Sequence, residues 1–216
     1  MSLDANNLLQ AIEEAKSKSQ KRNFVQSIEL IINLKDIDPK NPENRIQEII
    51  ELPHSPGKEN KVCVIASGEM ALKAKKAGAD LVIERRELEA LAGDKKRSEE
   101  LARTYDFFIA EAPLMPLVGK VLGATLGPRG KMPAPLPPTA DMKEQIAKYR
   151  KTVLVRMRGQ PVLQCRLGTE KMSNEEIAEN VQAIMRRVLG KLKRGLQIVK
   201  SIYLKSAMGP PVKVKM

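Results

Sequence analysis

The chain has 216 residues, 42% of them hydrophobic and 30% charged, which fits one large globular domain or two small ones. No stretch reaches the roughly 18 apolar residues of a membrane-spanning helix, and the acidic, amphipathic residues 1–16 exclude a secretory signal there. Lys and Arg number 38 against 26 Asp and Glu, so the net charge is +12 and we expect a polyanionic partner, most commonly nucleic acid.

The first sixty residues predict one helix followed by two strands. Residues 3–18 place their apolar side chains on one stripe of a helix. Residues 24–34 and 45–52 alternate between apolar and polar side chains, which predicts strands with one buried face. In the first of them, Phe24 shares that face with Ile28. Loops rich in Pro, Asn and Gly follow the two strands, at 36–42 and 53–58.

The middle of the chain changes pattern to short, continuous apolar runs. Such runs are typical of strands buried on both faces; here they lie at 62–66, 80–83 and 106–110. The segments between and after them predict helices at 69–77, at 85–104 with an interruption at Gly93, and at 114–122. This alternation predicts a Rossmann-like parallel sheet covered by helices. Residues 126–138 contain five prolines and two glycines, so they form neither a helix interior nor a central strand.

After a short helix at 141–149, the last third returns to alternating strands. These are predicted at 152–158, 162–167 and 196–204, with a helix at 174–192 that begins with a Ser173–Glu176 capping box. The fold class is therefore α/β and α+β in two domains. Residues 1–61 and 156–216 form a discontinuous two-layer α+β domain, and residues 62–155 form an inserted Rossmann-like domain. A two-strand hinge is predicted near 61–67 and 151–159.

Catalytic and metal sites are not indicated by any motif. His54 is the single histidine and stands in a Pro/Gly loop, where a solvated side chain is the simplest interpretation. Cys63 and Cys165 have neither disulfide-framework nor metal-ligand spacing, and we expect a reducing, cytosolic setting. After strand 62–66 there is no glycine-rich phosphate motif, and Glu69 would repel a phosphate at the following helix. We expect no cofactor, although a nucleotide-dependent enzyme on the inserted domain remains an alternative.

The charge excess lies at one end of the chain. Residues 143–216 hold 17 basic and 5 acidic residues, so the remaining two thirds are neutral overall. Arg156 and Arg158 share a face of one predicted strand, and Arg166 lies in its neighbour. Clustered guanidinium groups repel each other, which favours contact with a polyanion. The cations that end the helix at 174–192 fit either such contacts or a solvated face.

Structured RNA is the nucleic acid that fits best. Three Tyr, three Phe and no Trp are too few for a base-stacking platform. Gly209, followed by two prolines, would let RNA approach the backbone closely, although an ordinary turn has the same sequence. In the loop 126–133, Arg129 and Lys131 fit either a phosphate contact or a rigid basic loop. General nucleic-acid binding is the remaining alternative.

Three segments in order carry a family resemblance: NFVQSIEL at 23–30, LGPRGKMP at 126–133 and SAMGP at 206–210. Together they resemble the archaeal branch of the ribosomal protein L1 family, whose members belong to the large-subunit stalk. The resemblance implies the same two-domain fold. It also implies rRNA binding at the mobile stalk, help in releasing deacylated tRNA from the exit site, and repression of the protein's own mRNA. A cytoplasmic, non-enzymatic protein, monomeric off the ribosome, is expected.

The resemblance also implies where RNA is contacted. Two departures from the family pattern are Ala207, where a Thr is common, which moves the expected hydroxyl to Ser206, and Asn23, where a Lys is expected, with Arg22 one place earlier. The RNA-binding residues predicted from the residues and the resemblance together are Arg22, Phe24, Ser27, Glu29, Lys40, Arg156, Arg158, Arg166, Gly168, Thr169, Lys171, Ser206, Met208, Gly209 and Pro210, with Arg129 and Lys131 in a loop of the inserted domain.

Overall fold

The computed structural model describes residues 4–38, 41, 46–137, 139–157, 159–192 and 195–215. The chain forms two compact units. The first combines residues 1–58 and 151–216, and the second is residues 59–150. The first contains an antiparallel sheet and the second a separate parallel sheet, so the predicted fold class is confirmed.

The described residues form seven α-helices and ten β-strands. In chain order they are α1 (Ala5–Ser17), β1 (Ser27–Leu34), β2 (Gln47–Glu51), β3 (Val62–Ile65), α2 (Gly68–Lys76), β4 (Leu81–Ile83), α3 (Arg85–Ala90), α4 (Lys95–Thr104), β5 (Phe107–Glu111), α5 (Met115–Leu126), β6 (Ala134–Leu136), α6 (Met142–Arg150), β7 (Thr152–Met157), β8 (Val162–Thr169), α7 (Asn174–Lys191), β9 (Val199–Ser206) and β10 (Val212–Val214).

The first unit is a six-stranded antiparallel sheet with two helices on one face. Its strand order is β10-β9-β1-β8-β7-β2. Along β1, partly exposed and buried residues alternate, because successive side chains of a strand point to opposite faces. The buried face of the sheet packs with α1 and α7 in a single core. The predicted capping box begins α7: the N–H of Glu176 donates to Ser173 Oγ at 3.1 Å, and the N–H of Ser173 donates to Glu176 Oε2 at 3.0 Å.

The second unit is a four-stranded parallel sheet of order β4-β3-β5-β6 with helices on both faces. All four residues of β3 are buried, because α2 and α6 contribute to the core on one face and α3, α4 and α5 to the core on the other. This two-sided burial explains the continuous apolar runs in the sequence. The predicted interruption at Gly93 is also present, since a 3₁₀ turn at Leu91–Gly93 separates α3 from α4.

Two details differ from the sequence-based expectations. Phe24 precedes β1 and is 55% exposed, so it does not share the buried face of Ile28. The proline-rich run, by contrast, forms no central strand, as expected: its short strand β6 lies at the edge of the sheet, where a missing N–H is tolerated. The second difference concerns the domain boundary. The predicted change of domain between 155 and 156 falls inside β7. That strand pairs with β2 from Thr152 to Arg156 and belongs wholly to the first unit.

Candidate nucleic-acid interface

A buried glutamine joins three distant segments of the first unit. Gln26 is 1% exposed and directly precedes β1. Its side-chain nitrogen donates to Ser19 Oγ and to the carbonyl oxygen of Gln20, both at 2.8 Å. Its side-chain oxygen accepts from the backbone N–H of Met208 at 3.2 Å. Both N–H donors of the side-chain amide are therefore used.

Backbone hydrogen bonds complete this junction. The N–H of Gln26 donates to Glu170 Oε1 at 3.1 Å, and the N–H of Glu170 donates to the carbonyl of Gln26 at 3.0 Å. The N–H of Ala207 donates to the carbonyl of Ser27 at 2.9 Å. Segments 19–27, 168–172 and 206–210 are consequently held together, and we call these three segments the Gln26 rim.

The Gln26 rim contains ten of the predicted RNA-binding residues, and several are well exposed. Phe24 is 55% and Met208 58% exposed, and Val25 is 42% exposed. Large apolar side chains are rarely this exposed without a partner surface when they cluster. The predicted residues that the rim brings together are Arg22, Phe24, Ser27, Gly168, Thr169, Lys171, Ser206, Met208, Gly209 and Pro210.

The two glycines of the rim serve internal packing. A Cβ on Gly209 would collide with Ser206 Oγ and would lie 3.6 Å from the backbone of Ser19. A Cβ on Gly168 would lie 2.5 Å from Met172 Sδ. The missing side chain of Gly209 is therefore explained by contacts inside the protein, and the expectation that it leaves space for RNA has no support from this geometry.

Ser206 has a different position from the one expected. It is fully buried at the end of β9, and among the described residues its Oγ has no hydrogen-bond partner. A hydroxyl at this depth lies beneath the surface that RNA could touch. Its burial argues against the predicted contact with the RNA backbone.

The open face of the sheet carries three more of the predicted residues. Glu29 pairs in register with Arg166 on β8 and with Lys205 on β9. Arg156 on β7 pairs with Gln164, two residues from Arg166, so all these side chains share one face. The carboxylate of Glu29 between two cations reduces the repulsion on which the sequence argument depended. Predicted residues Lys40 and Arg158 lie outside the described residues.

A shallow cavity of about 310 Å³ lies on the same open face. It is lined by Leu154, Arg156, Gln160, Val162 and Gln164. Arg166 on the same face is held by its own unit, because its Nη2 donates to the carbonyl of Lys58 at 2.9 Å. The cavity lies toward the Val162 end of β8, whereas Thr169 at the other end of that strand belongs to the Gln26 rim.

The cations at the end of α7 are partly committed to an ion pair. Lys191 Nζ lies 3.1 Å from Glu48 Oε1, and Arg187 Nε lies 3.9 Å from Glu48 Oε2. Both cations are more than half exposed. Of the two interpretations of these charges, the solvated face with local pairing fits better.

In the second unit, the cations of the basic loop after α5 donate to backbone carbonyls of the same unit. Lys131 Nζ donates to the carbonyl of Tyr105 at 2.7 Å and to that of Ala102 at 3.0 Å. Arg129 Nη1 donates to the carbonyl of Glu99 at 3.4 Å. Both cations therefore complement the carboxyl end of α4, and burial lowers the pKa of Lys131. The rigid-loop interpretation is favoured over a phosphate contact.

The edge of the parallel sheet where nucleotides commonly bind is filled by a carboxylate. Glu111 Oε2 accepts from the N–H of Ser67 at 3.0 Å and from Ser67 Oγ at 2.8 Å, directly before α2. A phosphate at this helix N-terminus would have to displace that side chain.

Among the described residues there is no group of three His, Cys, Asp or Glu that could hold a metal ion. No described helix is long and apolar enough to cross a membrane.

The contacts of His54 and the burial of the two cysteines indicate structural roles. His54 Nε2 lies 2.7 Å from Glu179 Oε2, so the ring is paired at the surface rather than merely solvated. The buried Asn180 binds the backbone of the same residue: Oδ1 accepts from the N–H of His54 at 3.0 Å, and Nδ2 donates to its carbonyl at 3.1 Å.

Burial raises the pKa of Cys63 and of Cys165 to about 12, which suppresses thiolate chemistry.

Gln26, Asn180 and Glu111 are the residues that sequence reasoning missed. Gln26 directly precedes β1, so the alternation of the strand gives no signal for it. Asn180 does carry a signal, because it lies among Ile177, Val181 and Ile184 on the apolar stripe of α7. A polar residue at an apolar position indicates a satisfied buried group.

Comparison with known proteins gives a consistent family assignment. The model of the Ribosomal protein L1p/L10e family matches residues 15–210. The chain is 49% identical over 216 residues to the large ribosomal subunit protein uL1 of Pyrococcus abyssi, covering 100% of this chain and 98% of that protein. It is 48% identical over 214 residues to the protein of the same name from Archaeoglobus fulgidus, covering 99% and 100%. The corresponding protein of Thermofilum pendens is 49% identical over 212 residues, covering 97% and 93%.

Proposed function

Because the chain belongs to the Ribosomal protein L1p/L10e family, we propose that it is a constituent of the large ribosomal subunit whose first unit binds rRNA through the Gln26 rim. The observation that carries this proposal is the convergence of segments 19–27, 168–172 and 206–210 on the buried Gln26, through both its side chain and its backbone. Two of these segments contain motifs of the family resemblance, and they lie about 180 residues apart in the chain.

The distribution of charge supports the same unit as the RNA-binding one. The first unit holds 22 Lys and Arg against 13 Asp and Glu, whereas the second holds 16 against 13. Phosphate neutralisation supplies most of the sequence-independent affinity for nucleic acid. The first unit therefore has the stronger long-range attraction for RNA.

The Gln26 rim and the sheet face offer different kinds of contact to RNA. Phe24 and Met208 offer exposed apolar surface for packing against riboses or bases. Arg156, Arg166 and Lys205 on the adjoining sheet face provide charges for phosphates. Glu29 between them limits the net charge, which favours one register of the RNA over nonspecific attraction.

The finer roles follow from the family resemblance. We propose that the RNA is the mobile stalk of the large-subunit rRNA, that the protein assists the release of deacylated tRNA from the exit site, and that it represses translation of its own mRNA. A hinge near residues 61–67 and 151–159 would allow the second unit to move while the first holds the rRNA. Off the ribosome the protein would be a monomer in the cytoplasm.

A comparison of RNA with DNA tests the proposal against general nucleic-acid binding. A hairpin of the rRNA stalk sequence and a DNA hairpin of the same sequence are titrated with the protein, each in the presence of tRNA competitor. The proposal predicts at least tenfold tighter binding of the RNA, because shape and 2′-hydroxyl groups identify RNA. Equal affinities would support the general alternative. Binding of ATP or NAD below about 100 μM, within the ordinary range of enzyme substrates, would support the enzyme alternative.

A further inference from the structure

The loop that presents Met208 is held by a side chain from the opposite end of the chain. This loop follows β9, and its backbone is restrained at three successive N–H groups. The N–H of Ala207 donates to Ser27, that of Met208 donates to Gln26 Oε1, and that of Gly209 donates to Ser206. The bond to Gln26 is the one among these three that uses a side chain, so a substitution can remove it.

Gln26 is suited to hold that loop in one conformation. Its side chain is itself fixed, because Nε2 donates to both Ser19 Oγ and the carbonyl of Gln20, in the segment that follows α1. The side-chain oxygen therefore has a fixed position for accepting from Met208. By contrast, the Met208 side chain is 58% exposed, so its direction depends on its backbone rather than on packing.

We propose that Gln26, which is too buried to touch RNA, is a positioning residue that sets RNA affinity by fixing the Met208 backbone. This inference depends on the proposed function, since it assumes that the Gln26 rim binds RNA. Fixing one residue's backbone costs about as much free energy as a tenfold change in affinity. A loop that is already fixed before binding avoids this loss.

Two substitutions separate the link to Met208 from the other contacts of Gln26. Gln26→Met has a similar length and removes all three side-chain hydrogen bonds. Gln26→Glu keeps an acceptor for the Met208 N–H but loses both donors to Ser19 and Gln20. We expect Gln26→Met to weaken binding of the rRNA stalk hairpin about tenfold to a hundredfold. Gln26→Glu, whose remaining acceptor is no longer held by Ser19 and Gln20, should lose less affinity than Gln26→Met although it also loses stability.

Hydrogen exchange provides a readout that general destabilisation would not reproduce. In Gln26→Met, exchange at the Met208 amide should accelerate at least tenfold, while the amides of the central strand residues Leu30 and Ile32 keep their protection. The control is Val188→Ala, which removes two methyl groups from the buried part of α7. It should lower stability without changing RNA affinity or local exchange at Met208.

The outcomes distinguish this inference from the proposed function. If the wild-type protein fails to bind the hairpin, both are overturned. If the wild type binds and Gln26→Met binds equally well, only the positioning role is overturned. The positioning role is also overturned if both Gln26 variants and Val188→Ala lose affinity in proportion to their loss of stability.

Discussion

The side-chain oxygen of Gln26 accepts a hydrogen bond from the backbone N–H of Met208 at 3.2 Å, across 182 positions of the chain. This bond joins the start of the first strand of the sheet to the loop after β9. Because the antiparallel sheet already places β9 beside β1, the two ends of the chain meet at one rim. The location of the proposed RNA surface is therefore a consequence of the sheet topology.

The contact between Gly209 and Ser206 predicts a coupled pair of substitutions. Gly209→Ala should destabilise the first unit by about 1–3 kcal/mol, because its Cβ would collide with Ser206 Oγ. Ser206→Ala alone should be nearly neutral, since that buried hydroxyl has no hydrogen-bond partner among the described residues. In the Ser206→Ala background, Gly209→Ala should cost less than half as much.

Urea unfolding of the four proteins measures this cycle. The free energies of unfolding give the coupling energy directly. A coupling energy near zero would show that Gly209 and Ser206 do not meet as described. It would return Gly209 to the role expected from the sequence, that of leaving space for RNA.

We predict unequal effects on stability for the substitutions Asn180→Ala and His54→Ala. Asn180→Ala should cost about 2–4 kcal/mol, because it leaves buried backbone groups of His54 and Leu167 without their partner. His54→Ala keeps those backbone groups and loses a pair with Glu179, which is 61% exposed. It should therefore cost less than about 1 kcal/mol. Similar values for the two variants in urea unfolding would contradict this description of the 53–58 loop.

The two buried thiols predict slow chemical labelling that reports on each unit separately. Cys165 lies in the first unit and Cys63 in the second. Burial raises the pKa of each to about 12, so at pH 8 a disulfide reagent should modify neither in the folded protein. In urea, the labelling of each cysteine followed by mass spectrometry should track the unfolding of its own unit.

The same shift in pKa gives a dependence of stability on pH. An unfolded thiol ionises near pH 8.5, whereas the folded thiols stay protonated to about pH 12. Their contribution to stability is therefore complete below about pH 8.5 and is lost as the pH rises toward 12. Cys63→Ala and Cys165→Ala should each weaken this alkaline loss. Labelling of the folded protein within seconds at pH 8 would contradict the burial.

Much of the fold follows from patterns of side-chain period. The alternation in residues 27–34 matches the two-faced strand β1, and the continuous run at 62–65 matches β3, buried between two helix layers. The prediction that Phe24 belongs to this alternation is wrong. The strand begins at Ser27, and the odd or even position of a residue says nothing about its burial outside a strand.

The candidate surface was predictable in its segments but less so in its chemistry. Family motifs identified the segments around Phe24 and Met208. Whether a given residue in them faces solvent depends on contacts between distant segments, which one sequence does not reveal. Gly209 lies against the backbone of Ser19 for this reason, and Lys131 binds the end of a helix rather than remaining free for a phosphate.

The most direct test of the central claim is the affinity of the protein for a short transcript of the rRNA stalk, measured at several salt concentrations with tRNA competitor. The Phe24→Ser, Met208→Ser double variant removes the two most exposed large apolar side chains of the Gln26 rim. The matched control is Leu72→Ser in the second unit, because Leu72 is also a large exposed apolar residue, at 59%.

We predict nanomolar binding by the wild type and by Leu72→Ser, with log K falling against log salt by a slope of about −3 to −5 for roughly 4–6 neutralised phosphates. The double variant should lose at least tenfold in affinity while keeping that slope. Weak binding that is independent of salt, or equal affinities for all three proteins, would contradict the claim that the Gln26 rim binds rRNA.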